Sequence, residues 1–314
     1  MKHFAAFYCL SGLLFAVVLS SCGEKGQTSS SASTVEKSSN PSDSFRTQLL
    51  DYVKARNLHI GIGISCFENK DTLSVNGNEH YSLMSVCKFP QAITLLHLQD
   101  EGKLARNAMV HITQEDFKQP TMSSLQKDHP HIPFDMTIPE AFSYSIGQSD
   151  NVSSNVIFAL EGGPAAVQDY IRSLGIAEIG VATDYWHMKN DSVLKNWITP
   201  VAAVTLLDKF FNQKILSDSS KAILWNAMVT ATNGKNRLPG LLPAGSIIGH
   251  KTGTSGRDGT NTTTAFNDIG IMVLPNGKHV AVAVFIANTR LSDDDNAKVI
   301  AEIGKMVWDH YQAQ

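Results

Sequence analysis

The hydrophobic pattern predicts an α/β fold of the α+β kind. An antiparallel sheet, built from both ends of the chain and flanked by helices, is joined to an all-helical lobe. Three observations carry this. Apolar alternation marks strands early, at residues 59–66 and 72–75, and again late, at 246–251, 267–274 and 279–287. The middle of the chain is mostly helical in spacing. Asn276-Gly277, between the last two strands, is a strong signal for a tight antiparallel hairpin.

Residues 1–21 read as an export signal rather than as part of the fold. Lys2 and His3 precede an apolar stretch over 4–19, too short for a secure membrane span. It runs into Leu19-Ser20-Ser21-Cys22, which resembles a lipobox with Cys22 as the lipid-bearing residue; the alternative is an ordinary signal peptide with an incidental cysteine. The expected location is the periplasmic face of a bacterial membrane, held by lipid, or else the periplasm in soluble form. Residues 22–43 are Ser-rich and nearly devoid of large apolar side chains, the composition of a flexible tether. The folded domain is expected over 44–314, with its helical lobe over roughly 85–230.

Within that domain Leu49, Leu50 and Val53 give residues 45–56 one apolar helical side. Ile60, Ile62 and Ile64 alternate in the first strand, and Asn69-Lys70-Asp71 turns it back onto the second. Residues 85–98 return to helix with Phe89, Ala92, Leu95 and Leu96 as the buried stripe, and Pro90 sits in the first turns where a missing N–H costs least. Helices follow over 139–145, 152–160, 164–174, 199–211 and 217–229, marked by Pro near a start or Gly near a stop. An amphipathic helix over 297–311 closes the chain.

The 314 residues are 43% hydrophobic, enough for a sizeable core, and the net charge of −3 argues against a general nucleic-acid binder. No internal repeat and no Gly-rich phosphate loop occurs, so no cofactor is expected. His129-Pro130-His131 lacks further ligands nearby and reads as a solvated loop, so no metal is expected either. Of the four cysteines, Cys9 leaves with the signal and Cys22 is the anchor; Cys66 and Cys87 either pair or remain buried thiols.

Three short runs carry the chemistry. In Ser85-Val86-Cys87-Lys88 the hydroxyl and the amine lie one helical turn apart, so the amine can take the proton that makes serine a nucleophile. The adjacent helix N-terminus favours a developing oxyanion and a depressed lysine pKa. In Ser149-Asp150-Asn151 a second hydroxyl can relay a proton to a leaving nitrogen, and the Asn151 amide can hold substrate and Lys88 together; the same run also reads as a helix N-cap. Lys251-Thr252-Gly253 ends a strand, with a fixed charge beside the site and a glycine that lets substrate backbone approach closely. Thr254 offers an N–H to the oxyanion and a hydroxyl to an anionic substrate group. His250 points to the opposite face from Lys251.

Together, in this order, these runs are the signature of class A β-lactamases and penicillin-binding proteins. The domain resembles a class A β-lactamase, and its last third is similar to the extended-spectrum PER and VEB branch through segments 240–245, 250–256, 267–270 and 274–277, supported by 148–151 and 162–166. The resemblance implies hydrolysis of the β-lactam amide through an acyl-enzyme on Ser85, with a small-molecule β-lactam as substrate, resistance as the outcome and a monomer as the unit. It also implies that Arg237 meets the substrate carboxylate, although a surface loop arginine is the other reading. One family element is absent: the glutamate that activates the deacylating water. No Glu occurs between Glu178 and Glu302. Matching Ala182-Thr183 puts Asp184 in its place, whereas matching Met188 puts Tyr185 there. Trp186 and His187 either line the site or pack the loop. The missing glutamate leaves a DD-peptidase, or a slowly deacylating penicillin-binding sensor, as the alternative function.

Overall fold

The computed structural model describes residues 41–118, 121–188 and 195–314. The signal segment, Cys22 and most of the tether lie outside the described residues.

The elements run α1 (Pro41–Arg56), β1 (His59–Cys66), β2 (Thr72–Val75), β3 (Tyr81–Ser82), α2 (Lys88–Asp100), β4 (Met109–Ile112), α3 (Leu125–Asp128), β5 (Phe134–Thr137), α4 (Ile138–Phe142), α5 (Asn151–Glu161), α6 (Pro164–Ser173), β6 (Ile179–Gly180), β7 (Trp197–Ile198), α7 (Pro200–Asn212), α8 (Asp218–Val229), β8 (Ile247–Thr254), β9 (Thr263–Val273), β10 (His279–Thr289) and α9 (Asp293–Gln312). The main sheet has the order β2-β1-β10-β9-β8, antiparallel throughout. Its centre, β10, comes from the end of the chain and pairs with β1 from the start, so the two ends close one sheet as the apolar pattern requires.

Alternation along the strands buries both faces. Ile60, Ile62 and Ile64 of β1, with Val280, Val282 and Val284 of β10, pack on one side with Phe45 and Leu49 of α1 and Ile300, Ile303 and Val307 of α9. Ala281, Ala283 and Phe285 face the other side and join the core of the helical lobe, with Phe89, Ile93, Phe158, Leu207 and Phe210. This gives three layers: a helix pair, the sheet, and the helices of the middle of the chain.

Local chemistry sets the helix ends. Thr137 and Glu140 form a reciprocal capping box on α4. Thr199 caps α7 ahead of Pro200, and Ser217 caps α8. Gly162 ends α5 in the left-handed region at φ 88°. Ser292 caps α9, whose first turn carries Asp293, Asp294 and Asp295 at the positive end of the helix dipole.

Two expectations change in detail. Residues Met84–Cys87 form a 3₁₀ turn, and the α-helix begins at Lys88 rather than at Ser85. The helix expected over 139–145 gives way to a π turn at Ser143–Gly147. The two-residue strands β3, β6 and β7 and the four-residue strands β4 and β5, which pair with each other, are too short to leave a periodic signal in sequence. Cys66 and Cys87 are both buried free thiols.

Candidate active site

Three elements bring the expected residues to one place. Ser85 lies on the 3₁₀ turn and Lys88 opens α2. Ser149 and Asn151 flank the start of α5, and Lys251 lies near the end of the edge strand β8. The residue before Ser85, Met84, has φ 46°, and Ser149 has φ 61°. Both are non-glycine residues in the left-handed region, a conformation that costs on the order of 1–3 kcal/mol and must be held by its surroundings.

Lys88 is fully buried. Its Nζ lies 2.9 Å from Ser85 Oγ, 2.7 Å from Asn151 Oδ1 and 3.1 Å from the Ser149 carbonyl oxygen. Burial, reinforced by the charge of Lys251, pushes its pKa well below the ordinary lysine value, against the opposing pull of Asp150. A neutral amine has two N–H donors and one lone pair. The Asn151 and Ser149 oxygens can take both donors, which leaves the lone pair for the Ser85 hydroxyl.

Lys251 donates to Ser149 Oγ at 2.9 Å and to the Thr252 carbonyl at 3.1 Å. It too is buried, and burial brings its pKa down to about 7. Asn151 Nδ2 donates to Thr121 Oγ1 at 2.8 Å, so the amide is held at both ends. The cap reading of Ser149-Asp150-Asn151 is satisfied by the middle residue. The Asp150 carboxylate accepts from Ser153 N at 2.8 Å and from Ser123 Oγ and Ser124 N at 2.6 Å each, leaving its two neighbours for the site.

Gly253 has a different neighbour from the one expected. A Cβ there would lie 2.5 Å from the Leu83 carbonyl oxygen, 3.1 Å from Val86 N and 3.2 Å from Ser85 N. The glycine lets the nucleophile's own turn press against β8. Arg237 is buried over the Phe266 ring, 3.7 Å from its centroid. It donates to the Asn267 carbonyl and to Thr254 Oγ1, both at 2.6 Å, and to the Gly253 carbonyl at 3.3 Å. It is therefore no surface arginine; it underpins the end of β8. His250 turns away from Lys251 to the Asp268 carboxylate, 3.0 Å away.

Asp184 makes its side-chain contacts within its own loop. Its carboxylate accepts from His187 N at 2.9 Å and pairs with His187 Nδ1 at 2.8 Å. The cause is the anchoring of the loop one residue further on. Asn155 Oδ1 accepts from Tyr185 N at 2.8 Å, and Asn196 Oδ1 accepts from Ala182 N and Thr183 N. With the backbone so fixed, Tyr185 is the side chain that projects inward. Its ring covers Lys88 Nζ at 4.1 Å and its hydroxyl donates to the Met84 carbonyl at 3.2 Å. Burial holds the phenol well above its ordinary pKa, so it is neutral. Trp186 packs the loop by donating to the Asp116 carbonyl at 3.1 Å. Asn155 was not singled out in the sequence; its place four residues after Asn151, on the same side of a helix, is the signal that pointed to it.

Chemically the arrangement places a serine hydroxyl against an amine with a depressed pKa, a second hydroxyl on a second lysine, and a threonine-bearing strand end beside a buried guanidinium. A model of the β-lactamase enzyme family matches residues 44–311. The chain is 33% identical to Beta-lactamase VEB-1 of Pseudomonas aeruginosa, over 88% of this chain and 94% of that protein. It is 35% identical to the extended-spectrum β-lactamase PER-1 of the same organism, over 84% and 86% of the two chains. The crystal structure of the TLA-1 extended-spectrum β-lactamase matches with a TM-score of 0.84 at 34% identity, covering 87% of this chain and all (100%) of that one. A class A β-lactamase from Bacteroides cellulosilyticus DSM 14838 matches at 0.83 and 30%, over 88% and 100%.

Proposed function

Given that the chain belongs to the β-lactamase enzyme family, we infer that it is a class A serine β-lactamase, a hydrolase that opens the β-lactam amide and so confers resistance. The family and the named relatives do not favour the DD-peptidase or sensor alternative.

The observation that carries the assignment of residues is the Lys88 amine, 2.9 Å from Ser85 Oγ with its other contacts on neutral oxygens. Lys88 takes the Ser85 proton as Oγ attacks the lactam carbonyl carbon. The N–H groups of Ser85 and Thr254 receive the oxyanion. As the C–N bond breaks, the Ser149 hydroxyl donates its proton to the leaving nitrogen, and Lys251, bonded to Ser149 Oγ, supplies the charge that makes this relay favourable. Asn151 holds the substrate side-chain amide. The substrate carboxylate meets the Thr252 and Thr254 hydroxyls, and the Arg237 guanidinium behind Thr254 supplies positive charge. Water then releases the acyl group.

Export by residues 1–21, lipid attachment at Cys22, a location at the periplasmic face and a monomeric state complete the proposal, on the sequence features above. Among the described residues no helix is long and apolar enough to cross a membrane.

Steady-state hydrolysis of a penicillin and a chromogenic cephalosporin, with intact-mass detection of the acyl adduct, tests the reading. Ring opening with a transient adduct that maps to Ser85 is expected. Release of terminal D-alanine from a peptide, without ring opening, would overturn it.

A further inference from the structure

The deacylation step requires a group that receives the proton of water beside the Ser85 ester. In such sites that group is ordinarily a carboxylate, but here the loop presents a phenol. Among the described residues, none of the hydrogen-bond partners of Lys88 Nζ is a carboxylate oxygen; they are the Ser85 hydroxyl, the Ser149 carbonyl and the Asn151 amide. Asp150 holds Ser123, Ser124 and Ser153 through both of its oxygens, and Asp184 holds His187 through Oδ1. Glu161 lies at the far end of α5, buried, and its protonated form is favoured there.

Tyr185 spends its own O–H on the Met84 carbonyl. Its oxygen retains lone-pair capacity beside Ser85 and can accept a hydrogen bond from water, but a neutral phenol cannot remove the proton. The lone pair of Lys88 faces the same spot once Ser85 is esterified.

We propose that deacylation in this enzyme proceeds without a carboxylate: Lys88 is the base in both half-reactions, and Tyr185 is the residue that orients the hydrolytic water. This deepens the acyl-enzyme reading above and rests on it. One water hydrogen bonds to Tyr185 Oη while Lys88 Nζ takes the other proton. The water oxygen forms the new bond to the ester carbonyl carbon. When the carbon–Oγ bond breaks, Lys88 returns that proton to Ser85 Oγ. The product leaves as a carboxylic acid and ionises in solvent, so one water is consumed and the enzyme is restored.

The groups facing Lys88 set its titration: Lys251 from β8, Asp150 before α5, Cys87 on its own turn, and the Tyr185 ring from the loop. The rates of acylation and deacylation therefore rise with pH along one shared ionisation.

The test uses intact-mass and stopped-flow measurement of both steps, in the parent, Tyr185→Phe, Tyr185→Glu and Asp184→Asn proteins. Tyr185→Phe retains the buried ring; it should slow deacylation about tenfold, the value of one oriented hydrogen bond, and leave acylation within about twofold. If Tyr185→Glu folds, its deacylation should accelerate and persist to lower pH, because a carboxylate remains a base where an amine is protonated. Asp184→Asn should decay at the parent rate. A hundredfold loss of deacylation in Asp184→Asn, or a parent profile that follows a carboxylate at acid pH, would overturn the proposal while the Ser85 adduct still formed. Failure of the parent to form any Ser85 adduct would remove the acyl-enzyme reading and the proposal together.

Discussion

The floor of the site and the loop across it are built on opposite principles. On the floor, Ser85, Lys88, Ser149, Asn151 and Lys251 each sit at or near the end of a regular element, and their contacts are mutual. The loop from Val181 to Met188 has no regular element to hold it, and its inward side chain depends on side-chain bonds from Asn155 and Asn196 to its backbone. Where an element fixes geometry, residue type and spacing suffice to place a side chain. Where an irregular backbone does so, a shift of one residue exchanges a carboxylate for a phenol.

Substitutions on the floor should cost most. Lys88→Met removes the base while keeping an apolar chain of similar length, and should slow acylation by about a thousandfold. Stopped-flow decay of a chromogenic cephalosporin measures this; a loss under tenfold would mean that another group accepts the Ser85 proton. Gly253→Ala is the steric counterpart. Its new methyl group would lie 2.5 Å from the Leu83 carbonyl and must displace the turn or the strand. A displacement near 1 Å costs about a hundredfold in rate, so kcat/KM should fall by that order while the protein still folds by circular dichroism.

The loop should answer differently. Asn155→Ala frees Tyr185 N and should cost about 1–2 kcal/mol in denaturant unfolding. Deacylation should slow about tenfold while acylation changes little; equal losses in both steps would mean that floor and loop are one unit.

The smallest effect is electrostatic. Lys251 titrates at about 7 in the folded protein, against an ordinary value of 10.5. Between these values the unfolded chain binds more protons, so stability rises with pH across that window, and Lys88 contributes with the same sign. Cys87, pushed up to about 12, opposes this above its ordinary value of 9.0. The difference between proteins isolates the lysine: from about pH 7 to about pH 9 the parent should gain more stability than Lys251→Met. Equal gains would contradict the burial of a titrating amine.

Much of this was legible in the sequence. The β1 and β10 strands announce themselves by alternation, and the 3.6-residue patterns give the helices on either side. The three motif runs name five of the residues that converge. Less legible were features that depend on long-range backbone placement. Gly253 looked like room for substrate, because nothing local says that residues 83–86 pack against it. Arg237 read equally well as a solvent-facing loop residue until Phe266 and Asn267, about thirty positions on, closed over it. Asp184 and Tyr185 compete for one place in the sequence, because the two ways of matching the loop differ by one residue; the backbone bond from Asn155 is a long-range contact that turns Tyr185 inward.

The central claim is that the hydroxyl of residue 85, deprotonated by the Lys88 amine, becomes the ester. Intact-mass spectra of the parent and Ser85→Ala proteins, taken within seconds of adding a penicillin, test it most directly. A transient mass gain equal to one drug molecule in the parent, and no gain with negligible ring opening in the variant, is the predicted result. Hydrolysis by Ser85→Ala at the parent rate would contradict it.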